Sequence, residues 1–141
     1  MLRIIKFRVW DKINKIMINS YKEASELEDK RGIKGEAYAS DEYYPWSDIK
    51  APFLIDILDE QFELMQFTGL HDKNGKEIYE GDIVKVFTSG KWRIGTIIYE
   101  HSGFTIDVTI NKDLEYGRTS IIENLTEVIG NKYNNPELLE E

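Results

Sequence analysis

The chain has no cysteine. That excludes disulfides, zinc knuckles, thiol nucleophiles and Fe–S clusters. Histidine occurs only at positions 71 and 101, too few for a three-histidine metal site. No apolar run approaches the ~18 residues of a membrane span, and the first residues lack the apolar core of a signal peptide. There is no internal repeat and no low-complexity tract. These absences predict a soluble cytoplasmic protein with no membrane attachment, no cofactor and no metal. No motif specifies a reaction, so catalytic residues are expected to be absent as well.

What is present is an ordinary globular composition. The 141 residues are 41% hydrophobic and 31% charged, enough to bury a core in one domain or two small ones. The net charge is −8, unevenly spread. Residues 1–22 carry six basic groups and one acid, a net +5. Residues 23–63 carry twelve acids and four bases, a net −8, and the remainder carries −5. Such asymmetry can steer a partner, although solvated faces account for it as simply.

Residues 3–10 alternate with period two and include β-branched and aromatic side chains, which predicts a strand. Asp11 to Asn14 supply turn chemistry, and Lys15–Asn19 return as a second strand. Residues 21–31 suit a short helical arm. Residues 32–52 read as a long irregular loop holding Tyr43, Tyr44 and Trp46. The run 53–58 is too short for periodicity to separate a strand from a helical turn. Strands are then predicted over 61–67, 83–87, 92–99, 104–110, 120–122 and 128–129, with a terminal helical turn from Pro136. Turn signals separate them at Asp72–Gly75, Gly81-Asp82, Ser89-Gly90 and His101–Gly103. Short strands at this spacing predict a mainly β protein. Residues 1–60 would form an N-terminal hairpin with its arm and loop. Residues 61–141 would form an SH3-like barrel, with Gly95 allowing a strand to bend.

Several chemical readings fail on spacing. Gly69–Lys76 suggests a phosphate loop, but five residues separate Gly69 from Gly75, and Glu77 stands where Ser or Thr belongs. Asp72 and Asn74 resemble the start of a calcium loop, yet the glycine comes at the fourth position and Ile83 occupies the twelfth. His71 has neither a nucleophile nor an oxyanion element in its motif. Glu77, Glu80 and Asp82 match no ligand template and read as solvated acids.

Three segments together resemble the YopX family of phage and prophage proteins. They are Lys6–Asp11 with Lys15–Met17, Leu64–Val84, and Glu127–Asn131 with Asn135–Leu139. The resemblance implies a phage or prophage origin and a homo-oligomer. It brings no catalytic residues with it. Its shared residues read as structure: Gly69, Gly75 and Gly81 at turns, Asp72, Asn74 and Asp82 as turn-forming side chains, and Trp10, Phe67, Ile78 and Tyr79 in a core or interface.

The expected function is therefore a non-enzymatic phage accessory protein that contacts itself and an unidentified host or phage protein. Trp10, Tyr43, Tyr44 and Trp46 are the candidate anchors, with charges as the rim. The alternative is a nucleic-acid-binding face on the barrel built from Lys85, Lys91, Trp92 and Arg93. The net charge of −8 opposes it, because phosphate attraction supplies most non-specific affinity.

Overall fold

The computed structural model describes residues 4–19, 62–111, 113 and 117–140. The arm expected over 21–31, the loop 32–52 with Tyr43, Tyr44 and Trp46, and the run 53–58 lie outside the described residues. The fold is mostly β, and no described helix reaches seven residues. Accordingly, no described helix is long and apolar enough to cross a membrane. The chain divides into two compact units, Met1–Gln66 and Phe67–Glu141.

In the first unit, β1 (Phe7–Asp11) lies between β2 (Ile16–Ile18) and the first half of β3 (Phe62–His71), antiparallel to both. The strand begins at Phe7 rather than Arg3, and Ile4 and Ile5 stay exposed. Asp11 ends β1 and makes the hairpin turn. Its buried carboxylate accepts the N–H groups of Ile13 and Asn14 at 3.0 and 3.1 Å, and the Asn14 side-chain amide at 2.7 Å. A short acidic side chain that bonds its own backbone favours such a turn. Arg8, Val9, Trp10 and Asp11 are all buried. Lys12 and Glu63 close an ion pair at 3.1 Å.

In the second unit, the remainder of β3 pairs with β4 (Glu77–Tyr79). The register shifts between Phe67 and His71, where Gly69 has a φ of +87°. Gly69 thus marks a bulge inside a strand rather than the expected turn between strands. The strands β5 (Asp82–Thr88), β6 (Lys91–Glu100), β7 (Gly103–Asp107), β8 (Arg118–Thr119) and β9 (Thr126–Asn131) form a curled half-barrel sheet in the order β8-β7-β6-β5-β9. Short 3-10 turns cover Glu123–Leu125 and Pro136–Leu139.

The core of this unit is Ile78, Val84, Val86, Ile97, Ile106 and Val108, with Leu70, Ile121 and Val128 packed against it. Alternation builds it: Val84 and Val86 point inward while Lys85 and Phe87 between and beyond them are exposed. Gly95 lies opposite Val84, and a Cβ there would sit 2.5 Å from Ile106 Cγ2 and 2.8 Å from the Asp107 carbonyl oxygen. Its role is close approach of β7.

The strands depart from the sequence expectation in several places. β7 stops at Asp107 rather than Ile110, because the Asp107 carboxylate accepts the Thr109 N–H at 2.9 Å and Asn111 N–H closes a turn on Val108 O. Residues 120–122 follow β8 instead of forming a strand, leading into the 3-10 turn at Glu123. Glu77–Tyr79 is an additional strand, too short to show a period of its own.

Candidate functional site

Two constellations stand out in the second unit. The first is the turn between β3 and β4. Asp72 is buried, and its carboxylate gathers backbone donors from two directions. Oδ1 accepts the N–H of Asn74 and of Lys76, each at 2.9 Å, and Oδ2 accepts the Val128 N–H at 2.9 Å. Burial works against the charge. The three N–H groups and the nearby Lys76 ammonium outweigh it and hold Asp72 below the ordinary aspartate range. Gly75 has a φ of +82°. Asp82 likewise binds the Tyr79 N–H at 2.8 Å, and Gly81 has a φ of +83°. This motif therefore stabilises structure. Among the described residues, no three His, Asp or Glu side chains gather as a metal site. His71 donates its backbone N–H to Glu123 at 2.8 Å and meets the Phe67 ring edge-on.

The second constellation is an exposed aromatic pair. Thr88 pairs with Lys91, leaving Ser89 and Gly90 as the central residues of the hairpin, both with positive φ. That is the type I′ pattern, whose twist suits a two-residue hairpin. The register it fixes sets Phe87 directly opposite Trp92. Their rings meet edge to face with centroids 5.6 Å apart, and both remain exposed, at 39% and 40%. Two lysines converge on the indole. Lys85 Nζ lies 5.6 Å and Lys73 Nζ 5.2 Å from the ring centroid, within cation–π range. Lys73 also pairs with Glu127 at 3.3 Å, and Glu127 stands across from Lys85 on β9.

Of the residues predicted for a nucleic-acid face, Lys85 and Trp92 come together here. Lys91 and Arg93 do not. Alternation along β6 turns them away from Trp92, and both engage Asp113: Lys91 at 3.0 Å, and Arg93 with its side chain buried. Arg93 also donates to the Thr88 carbonyl oxygen at 3.2 Å. The hydrogen bond from Arg93, seconded by Lys91, holds the Asp113 carboxyl far below the usual range. Trp10 is a buried core position of the first unit, 7% exposed. Tyr43, Tyr44 and Trp46 lie outside the described residues. Sequence reasoning missed Phe87 and Lys73. The tight turn at Ser89-Gly90 carried the signal for Phe87, because a two-residue loop fixes which residue faces Trp92. Lys73 gave none, since its approach depends on how the β3–β4 turn meets β9.

The YopX protein family model matches residues 6–140. Among solved structures, protein EF1440 from Enterococcus faecalis is similar at 27% identity and a TM-score of 0.55, covering 99% of this chain and 100% of that one. Protein yopX from Bacillus subtilis is similar at 26% identity and a TM-score of 0.54, with the same coverage. Among curated proteins, none matches the chain.

Proposed function

The chain belongs to the YopX family, and from that premise we propose that it is a phage- or prophage-encoded accessory protein working by protein–protein contact. In this reading it is homo-oligomeric, non-enzymatic and cytoplasmic in its bacterial host. The observation that carries the reading is the Phe87–Trp92 pair. Two large rings stand exposed on a two-residue hairpin, with two lysine ammonium groups over the indole. Aromatics of this kind anchor interfaces, and charged rims steer the approach.

The test compares pull-downs from host lysate by the wild-type chain and by Trp92→Ala, with and without nuclease, at low and at ~0.5 M salt. A protein retained through nuclease and salt by the wild type, and lost from the variant, supports the reading. Equal capture by both overturns the assignment to this patch. Light scattering of the purified chain tests the homo-oligomer directly.

The second reading is a nucleic-acid-binding module using the same face. The convergence of Lys73 and Lys85 on Trp92 favours it. Against it stand the net charge of −8 and the engagement of Lys91 and Arg93 by Asp113. Capture abolished by nuclease would favour this second reading.

A further inference from the structure

We infer that the Lys73–Trp92–Lys85 cluster docks an acidic, aromatic-bearing segment of a partner protein. Its carboxylates would meet the two ammonium groups, and an aromatic side chain would pack on Phe87 and Trp92. This rests on the reading above that the patch is the interaction surface, and it adds the chemistry of the occupant.

Charge complementarity carries the inference. The chain is acidic as a whole, yet two ammonium groups are placed on one exposed indole. Glu127 offsets part of that charge through Lys73, so the local excess is small and positive. An excess of this size suits one or two carboxylates. It does not suit a nucleic-acid strand, whose hold against physiological salt requires neutralising a run of phosphates. Glu127 would also repel a strand laid along β9 and β5. A carboxylate, by contrast, can be accommodated beside Lys85 while Lys73 stays shared.

The aromatic part of the occupant follows from geometry. Phe87 presents its ring edge-to-face to Trp92, and the hairpin register holds both. Such a pair offers a preformed apolar step, so little side-chain freedom is lost on binding.

The experiment follows the indole N–H signals of the 15N-labelled full chain by NMR, with Trp92→Phe identifying the Trp92 signal. The probes are an octapeptide alternating glutamate and tyrosine, the same peptide with lysine for glutamate, and an oligothymidine of equal length. A saturable shift of the Trp92 signal with the acidic peptide alone is expected. Lys73→Ala with Lys85→Ala should weaken that binding about tenfold while the rest of the spectrum keeps its dispersion. Phe87→Ala, a second surface change, should weaken it similarly.

No Trp92 shift at ~1 mM acidic peptide overturns the inference, as does equal binding of the basic peptide. Preference for the oligothymidine overturns it in favour of nucleic acid. A Trp92 shift that grows with protein concentration alone overturns it in favour of a second copy. If the acidic peptide fails while lysate capture still depends on Trp92, the interaction reading stands and only this partner chemistry falls.

Discussion

The Asp72 carboxylate accepts the Val128 N–H at 2.9 Å across 56 positions of chain. Val128 lies on β9, an edge strand of the five-stranded sheet. Next to it, the Lys73 N–H donates to the Thr126 carbonyl oxygen at 2.9 Å. The β3–β4 turn thus bonds β9 along the side that no described strand covers. Unpaired strand edges invite aggregation, and covering them is a common protection. The family match over residues 6–140 includes this turn.

Asp72→Ala should therefore destabilise the second unit strongly. It strands the N–H groups of Asn74, Lys76 and Val128, and a buried donor left unmade costs roughly 1–3 kcal/mol. A loss of about 3 kcal/mol is expected in urea unfolding. Asp72→Asn keeps one carbonyl oxygen for Asn74 and Lys76 but offers an amide to Val128, so about half that loss is expected. Full retention of stability by the alanine variant would show that water replaces the carboxylate without cost.

The same carboxylate sets a pH dependence. Asp72 is held below the ordinary aspartate value of 3.8, where it titrates in the unfolded chain. A depressed folded value means the stabilisation is complete above the unfolded value and is lost as pH falls through the folded one. The urea midpoint should be flat near neutrality and decline below about pH 4. Asp72→Asn should show a shallower acid decline than wild type. Identical slopes would remove Asp72 from the acid transition.

The fold class was legible because it depends on local signals. Period-two runs at 83–87 and 92–99, and glycine or asparagine at the turns, recur with little dependence on context. Ends were less legible where side chains overrode pattern. Phe104 to Ile110 alternates throughout, yet Asp107 bonds Thr109 and stops the strand early. The site was half legible. Trp92 and Lys85 belong to neighbouring strands of one hairpin, so sequence could associate them. Lys73 arrives from a distant turn, and Arg93 is taken by Asp113 twenty positions on. Neither pairing follows from spacing.

Gly95→Ala tests whether β6 and β7 meet as closely as the packing requires. The new methyl would meet Ile106 Cγ2 at 2.5 Å, the Asp107 carbonyl oxygen at 2.8 Å and Val108 Cγ1 at 2.9 Å. One of these neighbours is backbone and two belong to the core, so none can swing aside freely. Overpacking of this kind costs about 1–3 kcal/mol. Thermal unfolding should show a clear drop in midpoint. An unchanged midpoint would mean that the two strands can separate at no cost.

The hairpin joining β6 to β7 offers a change in the opposite direction. Glu100 pairs with Gly103, so His101 and Ser102 are its two central residues, with φ of +50° and +70°. The β5–β6 hairpin has Ser-Gly at the equivalent places, with glycine at the second. Left-handed backbone costs a residue bearing a Cβ roughly 1–2 kcal/mol, and asparagine and glycine adopt it most readily. Glycine at Ser102 gives back about 0.5–1 kcal/mol through the unfolded chain. His101→Asn with Ser102→Gly should still gain about 1 kcal/mol, because Asn-Gly is the preferred type I′ pair. In a chain of this length that gain raises the thermal midpoint by about 3 °C. A lower midpoint would show that the His101 or Ser102 side chain contributes contacts worth more than the relief of its backbone.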